Sequence, residues 1–402
     1  MEVNVRKRGS TWEWRFEMAP VGGKRQQSSR GGFPTRDAAY RAGVAAYQEY
    51  QNSGKVFKVD ESVSVADYFA LWEQHYVASE CEKTTAATYR ALIKNHILPF
   101  FGTYRLAAVD RPALQEFINA KIKERSESTV KILRTILREA FDYAVTDLQI
   151  LKHNPADRLR ISKQEVQRKK AVKKERADDH IKALSLDEVQ TVLNKLEGMS
   201  HHAAFLAFHT GMRAGEILAL SWDDVNFDSG TLHIHRTLQT VGGSRYISPY
   251  PKSDKSIRII SVGPSVVRYL REMKKSQREA ELLSGSGYWC CYTDSSFQLH
   301  MLQKSEVPPD GFRRRDFVMT QPTGKHYSAA ALWSACYRKF GKEFKFHNLR
   351  HTHATMLIEA GISPKVVQER LGHENVAFTL NRYVTATRKM DSSAAAVFES
   401  LL

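Results

Sequence analysis

Residues 347–373 read HNLRHTHATMLIEAGISPKVVQERLGH, and this stretch decides the fold of the C-terminal half of the chain. Its first part has apolar residues at helical spacing and ends at a glycine. Ser363 then caps a second helix that Pro364 opens, which is the usual chemistry of a helix start. His347 and Arg350 are three positions apart, so one face of the first helix presents both. The stretch therefore predicts two consecutive helices that carry imidazole and guanidinium groups.

Other residues with the same chemistry lie in short motifs around this stretch. TGMRAGEIL contains Arg213, PKSDKSIRI contains Lys252, LGH ends at His373 and LNRY ends at Tyr383. Two arginines, a lysine and two histidines suit an anionic phosphate, and a tyrosine hydroxyl can attack it. Taken alone, Tyr383 is typical of a packed core residue, and Arg213 has a second candidate partner in Glu216. The phosphate hypothesis therefore depends on the ordered set.

A metal site is the alternative that the histidines raise. His351 and His353 lie close to His347, but no carboxylate stands between two histidines as it does in H-E-x-x-H. Arg350 beside a dication would also be unfavourable. We expect no metal and no cofactor, and we expect His353 to be packed or solvent-facing. The cysteines match neither a disulfide framework nor a zinc site; they are Cys81, Cys290, Cys291 and Cys336.

Composition points to a polyanionic partner. The chain has 402 residues, a formal net charge of +16 and 42% hydrophobic residues, so two or three packed domains are expected. The charge favours nucleic acid, although a merely basic protein is the alternative. No apolar run reaches the ~18 residues that span a bilayer, and MEVNVRKRGSTWEW lacks the apolar core of a signal peptide. We therefore expect a cytoplasmic protein on nucleoid DNA, without membrane contact.

The N-terminal segment predicts a small basic sheet with a helix. Residues 12–18 alternate apolar and charged side chains, residues 24–30 predict a polar strand, and Thr35 caps a helix. Such a sheet can enter a DNA groove, or its charges can simply be solvated. The predicted DNA contacts of this segment are Arg6, Arg8, Arg15, Lys24 and Arg25.

Four helices are predicted next, beginning near Ser64, Thr84, Asp110 and Ser128, with the second stopping before Pro99. The start of the second helix is electropositive and can hold a phosphate, or its threonine can serve only as a cap. The predicted DNA contacts there are Lys83, Thr84 and Thr88.

Residues 162–180 are strongly basic and nearly free of apolar residues, so they predict an interdomain linker. It can lie along DNA through Lys169 and Lys170, or be a solvated tether. Farther along the chain, alternating apolar and polar residues predict strands at 231–237 and 256–262. Residues 284–324 predict an irregular insertion with one short strand at 317–319.

The motifs together resemble the tyrosine recombinases of the lambda-integrase family. TGMRAGEIL with LSWDDV, then PKSDKSIRI, HNLRHTHATML and LGHENVAFTLNRY, match that family's boxes in order and in approximate spacing. The resemblance covers roughly residues 60–402, and the N-terminal sheet resembles the arm-binding domain of phage and conjugative-transposon integrases. It implies a mainly α fold with small β-sheets. The implied domains are an N-terminal three-stranded sheet plus helix at 1–54, a four-helix core-binding domain at 60–161, the basic linker at 162–180, and a mostly helical catalytic domain with a tail helix at 181–402.

The resemblance also implies a role for each residue of the set. Arg213 and Arg350 would hold the non-bridging oxygens of the scissile phosphate, with a hydrogen bond from His373. The nucleophile would be Tyr383, which forms a 3′-phosphotyrosyl link without metal or ATP.

Proton transfer completes the implied mechanism. Lys252 would protonate the leaving 5′ oxygen, with Lys255 as a conceivable stand-in because Pro251-Lys252-Ser253 departs from the common Thr-Lys-Thr. His347 would assist proton transfer at the tyrosine.

These roles imply a site-specific integrase that acts as a homo-tetramer on the core and arm sites of double-stranded DNA. The need for an excision factor stays open. The apolar tail would dock on a neighbouring protomer or on its own domain, and we favour the neighbour. Alternative functions are a resolvase-type recombinase, a type IB topoisomerase-like enzyme, or a catalytically silent DNA-binding regulator.

Overall fold

The computed structural model describes residues 3–21, 24–52, 63–175, 183–248 and 256–372. The chain divides into two compact units. One unit contains residues 1–80 and 89–166, and the other contains residues 81–88 and 167–402. The expected mainly α fold with small antiparallel sheets is confirmed. Within the described part of the chain, every helix is too short or too polar to cross a membrane.

The first unit opens with the expected three-stranded sheet and helix. The antiparallel order is β1 (Asn4–Arg8), β2 (Thr11–Val21) and β3 (Lys24–Phe33), followed by helix α1 (Arg36–Asn52). Trp14 and Phe16 of β2 are buried and stacked, with ring centroids 5.4 Å apart. Thr35 accepts a hydrogen bond from the Ala38 N–H and so caps α1 as predicted. Alternation could not reveal β1, because NVRKR has a single apolar side chain, that of Val5.

The helices that follow in chain order are α2 (Val65–Trp72), α3 (Ala78–Glu80), α4 (Lys83–Leu92), α5 (Leu98–Phe101), α6 (Arg111–Glu124), α7 (Glu127–Thr146) and α8 (Lys163–Glu175). The four predicted helices are present: α2 and α3 form one continuous helix through a π-helical turn, and so do α4 and α5. Ser64, Asp110 and Ser126 cap their helices through side-chain oxygens.

Two details of this helical region differ from the sequence prediction. The helix does not stop before Pro99, because Pro99 lies in the first turn of α5, where its missing N–H leaves little unsatisfied. The basic segment predicted as a linker is helical over Lys163–Glu175, although its composition offers almost no apolar face. Residues 176–180 lie outside the described residues.

The helices of the second unit are α9 (Leu186–Lys195), α10 (Gly198–Thr210), α11 (Ala214–Ala219), α12 (Pro264–Ser284), α13 (Ala329–Phe340), α14 (His347–Glu359) and α15 (Pro364–Leu371). Its strands are β4 (Val225–Asn226), β5 (Thr231–Ile234), β6 (Thr237–Val241), β7 (Ser244–Ser248), β8 (Arg258–Ser261), β9 (Trp289–Thr293), β10 (Leu299–Gln303) and β11 (Arg313–Arg315). They form sheets β4-β5-β8, β6-β7 and β10-β9-β11 around a helical core. The predicted helix pair at 347–373 is present, with Ser363 as the cap and Pro364 in the first turn of α15.

The insertion at 284–324 is more regular than expected. It contains the three strands β9–β11, whereas residues 317–319 are buried without forming a strand, so the prediction of one short strand at 317–319 was wrong. Four of the five residues of β9 (WCCYT) are buried, so no polar face alternates with an apolar one. A strand buried on both faces lacks the period that sequence analysis detects.

The close packing of α1 on the sheet gives a stability prediction. A Cβ on Gly43 would lie 2.6 Å from Val3 Cγ1 and 2.8 Å from Trp14 Cβ. We expect Gly43→Ala to destabilise this sheet, because overpacking costs about 1–3 kcal/mol and exceeds the ~1 kcal/mol gain in helix propensity. Hydrogen exchange at the β2 amides should accelerate in Gly43→Ala and not in the control Gln48→Ala, which changes an exposed position of the same helix. Unchanged β2 exchange in Gly43→Ala would contradict the packing.

Candidate active site

Three of the six predicted catalytic residues belong to the part of the chain that the structure describes, namely Arg213, His347 and Arg350. The other three lie outside the described residues, namely Lys252, His373 and Tyr383. The stand-in Lys255 and the predicted tail helix are outside them as well.

Arg213 precedes α11 and is held by a carboxylate one turn ahead. Glu216 accepts hydrogen bonds from the Arg213 backbone N–H and from Nη1, both at 2.8 Å. The guanidinium also donates from Nη2 to the Gly372 carbonyl oxygen at 3.3 Å. Its side chain is still 39% exposed, while that of Glu216 is 7% exposed. Both terminal nitrogens of Arg213 are therefore hydrogen-bonded, and the side chain is still accessible at the surface.

Arg350 lies in the interior of the same unit. It is 1% exposed, and it donates from Nη1 to the Gly211 carbonyl oxygen at 2.6 Å and from Nη2 to the Leu371 carbonyl oxygen at 2.8 Å. The residues that receive the two predicted catalytic arginines are therefore neighbours, Leu371 and Gly372, at the end of α15. Arg213 and Arg350 therefore bind to adjacent backbone carbonyls, and the second of these belongs to the residue that precedes His373 in sequence.

Gly211 makes this convergence possible. Its φ of +69° lies in the left-handed region, and a Cβ there would lie 2.6 Å from Leu371 Cδ2 and 2.7 Å from His353 Cδ2. The end of α10 thus approaches α14 and α15 more closely than a side chain would allow.

A further arginine completes the cluster and was not predicted from sequence. Arg258 of β8 forms a two-point ion pair with Glu216, at 3.2 Å from Nη1 to Oε1 and 2.9 Å from Nη2 to Oε2. Arg258 is two positions before the buried Ile260 in β8, so the strand period places both side chains on the same inward face. Burial alone would raise the pKa of Glu216, but Arg258, with smaller contributions from Arg350 and Arg213, lowers that pKa to about 2.

His347 lies at the first position of α14 and is exposed. Its ring packs edge-on against the buried His351, with centroids 4.8 Å apart. His347 and Arg350 share a helix as predicted, but Arg350 points into the interior whereas His347 is accessible.

His353 is a buried, neutral structural residue. Its Nδ1 lies 2.7 Å from the Phe208 carbonyl oxygen, and its Nε2 accepts a hydrogen bond from Arg370 Nε at 3.0 Å, which fixes the Nδ1-protonated tautomer. Burial and the nearby Arg370 lower its pKa to about 4. Within the described ranges no group of histidine, cysteine or acidic side chains is arranged to hold a metal ion.

The basic residues of the N-terminal sheet share a face that a carboxylate organises. Glu13 is 6% exposed and pairs with Arg6 Nε at 3.3 Å and with Arg8 Nη1 at 3.6 Å. Arg15 follows two positions along β2, so it lies on the same side of the sheet. Lys24 is exposed, and Arg25, also exposed, lies 3.9 Å from Glu17.

The other predicted DNA contacts lie in the helices α4 and α8. Thr84 lies in the first turn of α4, and the Thr88 hydroxyl donates to its carbonyl oxygen at 2.9 Å. Lys83 groups with the second unit, and its Nζ lies 4.0 Å from the centre of the Tyr246 ring. Lys169 and Lys170 lie in α8, and the side chain of Lys170 is outside what the structure describes.

The Glu216 cluster gives a pH prediction. A carboxyl whose pKa is about 2 in the folded chain and 4.5 in the unfolded one stabilises the fold above pH 4.5, and this contribution is lost as pH falls through 2. The contribution is on the order of 3 kcal/mol. We expect the stability difference between the wild type and Glu216→Gln to shrink when urea unfolding is compared at about pH 7, 4 and 3. A difference that stays constant over this range would argue against the buried ionised carboxylate.

Comparisons with known proteins identify the family of the chain and agree with its fold. The Phage integrase family model matches residues 182–390, just over half of the chain, and the model of the phage integrase N-terminal SAM-like domain matches residues 64–122. The tyrosine recombinase XerC-like protein of Caldanaerobacter subterraneus is 28% identical over 358 residues, which cover 85% of this chain and 84% of that protein. The ICEBs1 integrase of Bacillus subtilis is 25% identical over 378 residues, covering 92% and 90%.

Solved structures share the fold. The Tn1549 transposon integrase in complex with transposon right end DNA aligns with a TM-score of 0.59 at 21% identity, over 84% of this chain and 99% of that one. A lambda integrase dimer bound to a COC′ core site aligns with a TM-score of 0.52 at 18% identity, over 96% and 95%. With a family model over more than half of its length and relatives along nearly all of it, the chain belongs to the phage integrase family and is a site-specific tyrosine recombinase.

Proposed function

We propose that the chain integrates and excises a mobile element by cutting and rejoining DNA strands through a 3′-phosphotyrosyl link at Tyr383. The observation that carries this proposal is the convergence of Arg213 and Arg350 at the end of α15. The family match to residues 182–390 continues past that point and includes Tyr383. Two fixed guanidinium groups are the partners that a phosphate needs.

The proposed chemistry is a reversible transesterification. The Tyr383 oxygen attacks phosphorus, the bond from phosphorus to the 5′ oxygen breaks, and the 5′ hydroxyl leaves with a proton from Lys252. Negative charge that grows on the phosphorane is stabilised by Arg213 and Arg350. The phosphodiester is retained as a tyrosyl ester, so religation by a 5′ hydroxyl restores the DNA without ATP.

The remaining residues assist these steps. The exposed ring of His347 at the start of α14 can exchange a proton with the tyrosine. His373 is the next residue in sequence after Gly372, whose carbonyl oxygen accepts a hydrogen bond from Arg213. We propose that it adds a hydrogen bond to the phosphate.

We propose double-stranded DNA with core and arm sites as the partner, and a homo-tetramer as the active assembly. The lambda integrase has been solved as a tetramer bound to a Holliday junction, with a TM-score of 0.50 to this chain at 17% identity. The formal net charge of +16 suits a polyanion, and action on chromosomal DNA would place the protein on the nucleoid. Excision assays run with and without host extract would show whether an excision factor takes part.

The N-terminal sheet favours integration over the alternatives. A resolvase-type recombinase or a type IB topoisomerase-like enzyme has no need of a second DNA-binding module. Here Arg6, Arg8 and Arg15 share one face of a separate sheet. We propose residues 1–54 as this arm-binding module, 60–161 as the core-binding domain, 162–180 as the linker and 181–402 as the catalytic domain.

A nicked attachment-site duplex tests the nucleophile. Incubated in EDTA, the wild type should give a covalent protein–DNA adduct, because neither attack nor leaving-group protonation needs a metal in this mechanism. Tyr383→Phe, which lacks only the hydroxyl, should give none. An adduct formed by Tyr383→Phe would exclude Tyr383 as the nucleophile, no adduct with either protein would support a silent DNA-binding regulator, and an adduct that requires magnesium would overturn the metal-free mechanism.

A second assay separates Lys252 from Lys255 as the general acid. A substrate with sulfur in place of the scissile 5′ oxygen has a leaving group that needs no proton, because a thiol is far more acidic than an alcohol. Lys252→Ala should cleave the ordinary substrate about 100-fold more slowly than the wild type and recover on the sulfur substrate. Lys255→Ala, the matched control, should be close to wild type on both. The reverse pattern would transfer the role to Lys255.

A further inference from the structure

Three consecutive carbonyl oxygens at the end of α15 each accept a hydrogen bond from a different arginine. Arg258 of β8 donates to Arg370 at 2.7 Å. Arg350 of α14 donates to Leu371 at 2.8 Å, and Arg213 donates to Gly372 at 3.3 Å. A helix C-terminus carries partial negative charge on such carbonyls, so it attracts cations. Two of the three arginines belong to the proposed phosphate site, and the third does not.

Arg258 differs from Arg213 in its exposure, and from both other arginines in its partners. Its side chain is 6% exposed, against 39% for Arg213. Nε donates to α15, Nη1 donates to Glu216 and to the Ser256 carbonyl oxygen at 3.1 Å, and Nη2 donates to Glu216. With these donors engaged inside the protein, the side chain is placed to hold other groups and not to bind a phosphate itself.

The groups that Arg258 holds are those that position the proposed phosphate ligands. Glu216 accepts from Arg258 with both oxygens, and it also accepts from the Arg213 guanidinium with one oxygen and from the Arg213 backbone N–H with the other. The carboxylate therefore links β8 to Arg213. The Arg258 guanidinium also fixes the last turn of α15, which Arg213 and Arg350 also contact. One side chain thus joins three elements that are distant in sequence.

We propose that Arg258 is a positioning residue for strand cleavage: it clamps Glu216 and the end of α15 so that Arg213 meets the scissile phosphate in a fixed orientation. This inference rests on the proposed function, since it assumes that Arg213 binds that phosphate. Without Arg258, Glu216 lacks its buried partner and the end of α15 loses one of its three arginine contacts, so both groups that hold the Arg213 guanidinium are less firmly fixed. A misplacement of about 1 Å costs roughly 100-fold in rate at such a site.

The test compares substrates that differ only in charge at the scissile position. A methylphosphonate replaces one non-bridging oxygen by a methyl group and removes the negative charge that Arg213 would neutralise. Its two diastereomers are assayed separately, because only one lacks the oxygen that faces Arg213. Adduct formation by the full-length chain is measured in single turnover with the protein in excess.

The matched control is a second buried arginine–carboxylate pair in the same unit. Arg236 lies 2.6 Å from both oxygens of Asp224, with side-chain exposures of 10% and 6%. Arg236→Met therefore shows how much the cleavage rate falls when a buried ion pair is lost and the protein is only destabilised. Thermal unfolding of every variant confirms that it is folded at the assay temperature.

We expect Arg258→Met to slow cleavage of the phosphodiester about 100-fold and cleavage of one methylphosphonate diastereomer by less than about 10-fold. Arg213→Ala should show the same selectivity, and the double variant should be no slower than Arg213→Ala. If Arg258→Met does not fold, the test uses Arg258→Lys, which keeps the positive charge but loses the forked guanidinium. The ratio of its rate loss on the phosphodiester to its rate loss on the methylphosphonate is then compared in the same way.

Two results would overturn the inference. The first is an equal loss of cleavage rate on all three substrates, which is the result expected for Arg236→Met. The second is a double variant whose loss of rate is the product of the two single losses. Either result would make Arg258 a purely structural residue. If the wild type forms no adduct on the phosphodiester, the proposed function fails and this inference falls with it, so the two failures are distinguishable.

Discussion

The buried carboxylate of Glu216 is the interaction on which the proposed site depends. It lies between Arg213 and Arg258, and Arg350 is near enough to help lower its pKa. A buried carboxylate is costly unless it is paired and hydrogen-bonded, and the loss of one partner typically costs about 3–5 kcal/mol. The ion pairs of Glu216 therefore hold Arg213 in place and also fix α11, β8 and the end of α15 relative to one another.

Charge balance explains why such an arrangement suits an anion. Three guanidinium groups surround a single carboxylate, so the cluster keeps an excess of positive charge. The carbonyl dipoles at the end of α15 offset only part of it. A phosphate that contacts the exposed part of Arg213 would neutralise the remaining positive charge. The guanidinium would already be oriented before the phosphate binds. Preorganised charge of this kind is the main source of catalysis in phosphoryl transfer.

Local chemistry explains which parts of the fold could be predicted. Ser363, Pro364 and the glycines mark helix ends through contacts within a few residues, so α14 and α15 followed from sequence. Arg213 and Glu216 are three apart, and their pairing was one of two alternatives that the spacing allowed. The four helices of the first unit followed from their apolar period in the same way.

Long-range contacts explain what could not be predicted. The partners of Arg258 are 42 and 112 positions away, so sequence marks it only as an inward-facing residue of a strand. The carbonyl that holds His353 is 145 positions from it. Strand β9 is almost fully buried and has no alternation to detect. In each case tertiary packing supplied information that no local pattern contains.

A crystal structure of the chain bound to an uncleaved core-site duplex would show directly whether the Glu216 cluster orients Arg213 toward the scissile phosphate. Arg213 should exchange the Gly372 carbonyl for a non-bridging oxygen of the scissile phosphate. The two-point pair of Glu216 and Arg258 should stay as it is here, near 3 Å. A phosphate bound away from Arg213, or Glu216 separated from Arg258 in the complex, would contradict the account.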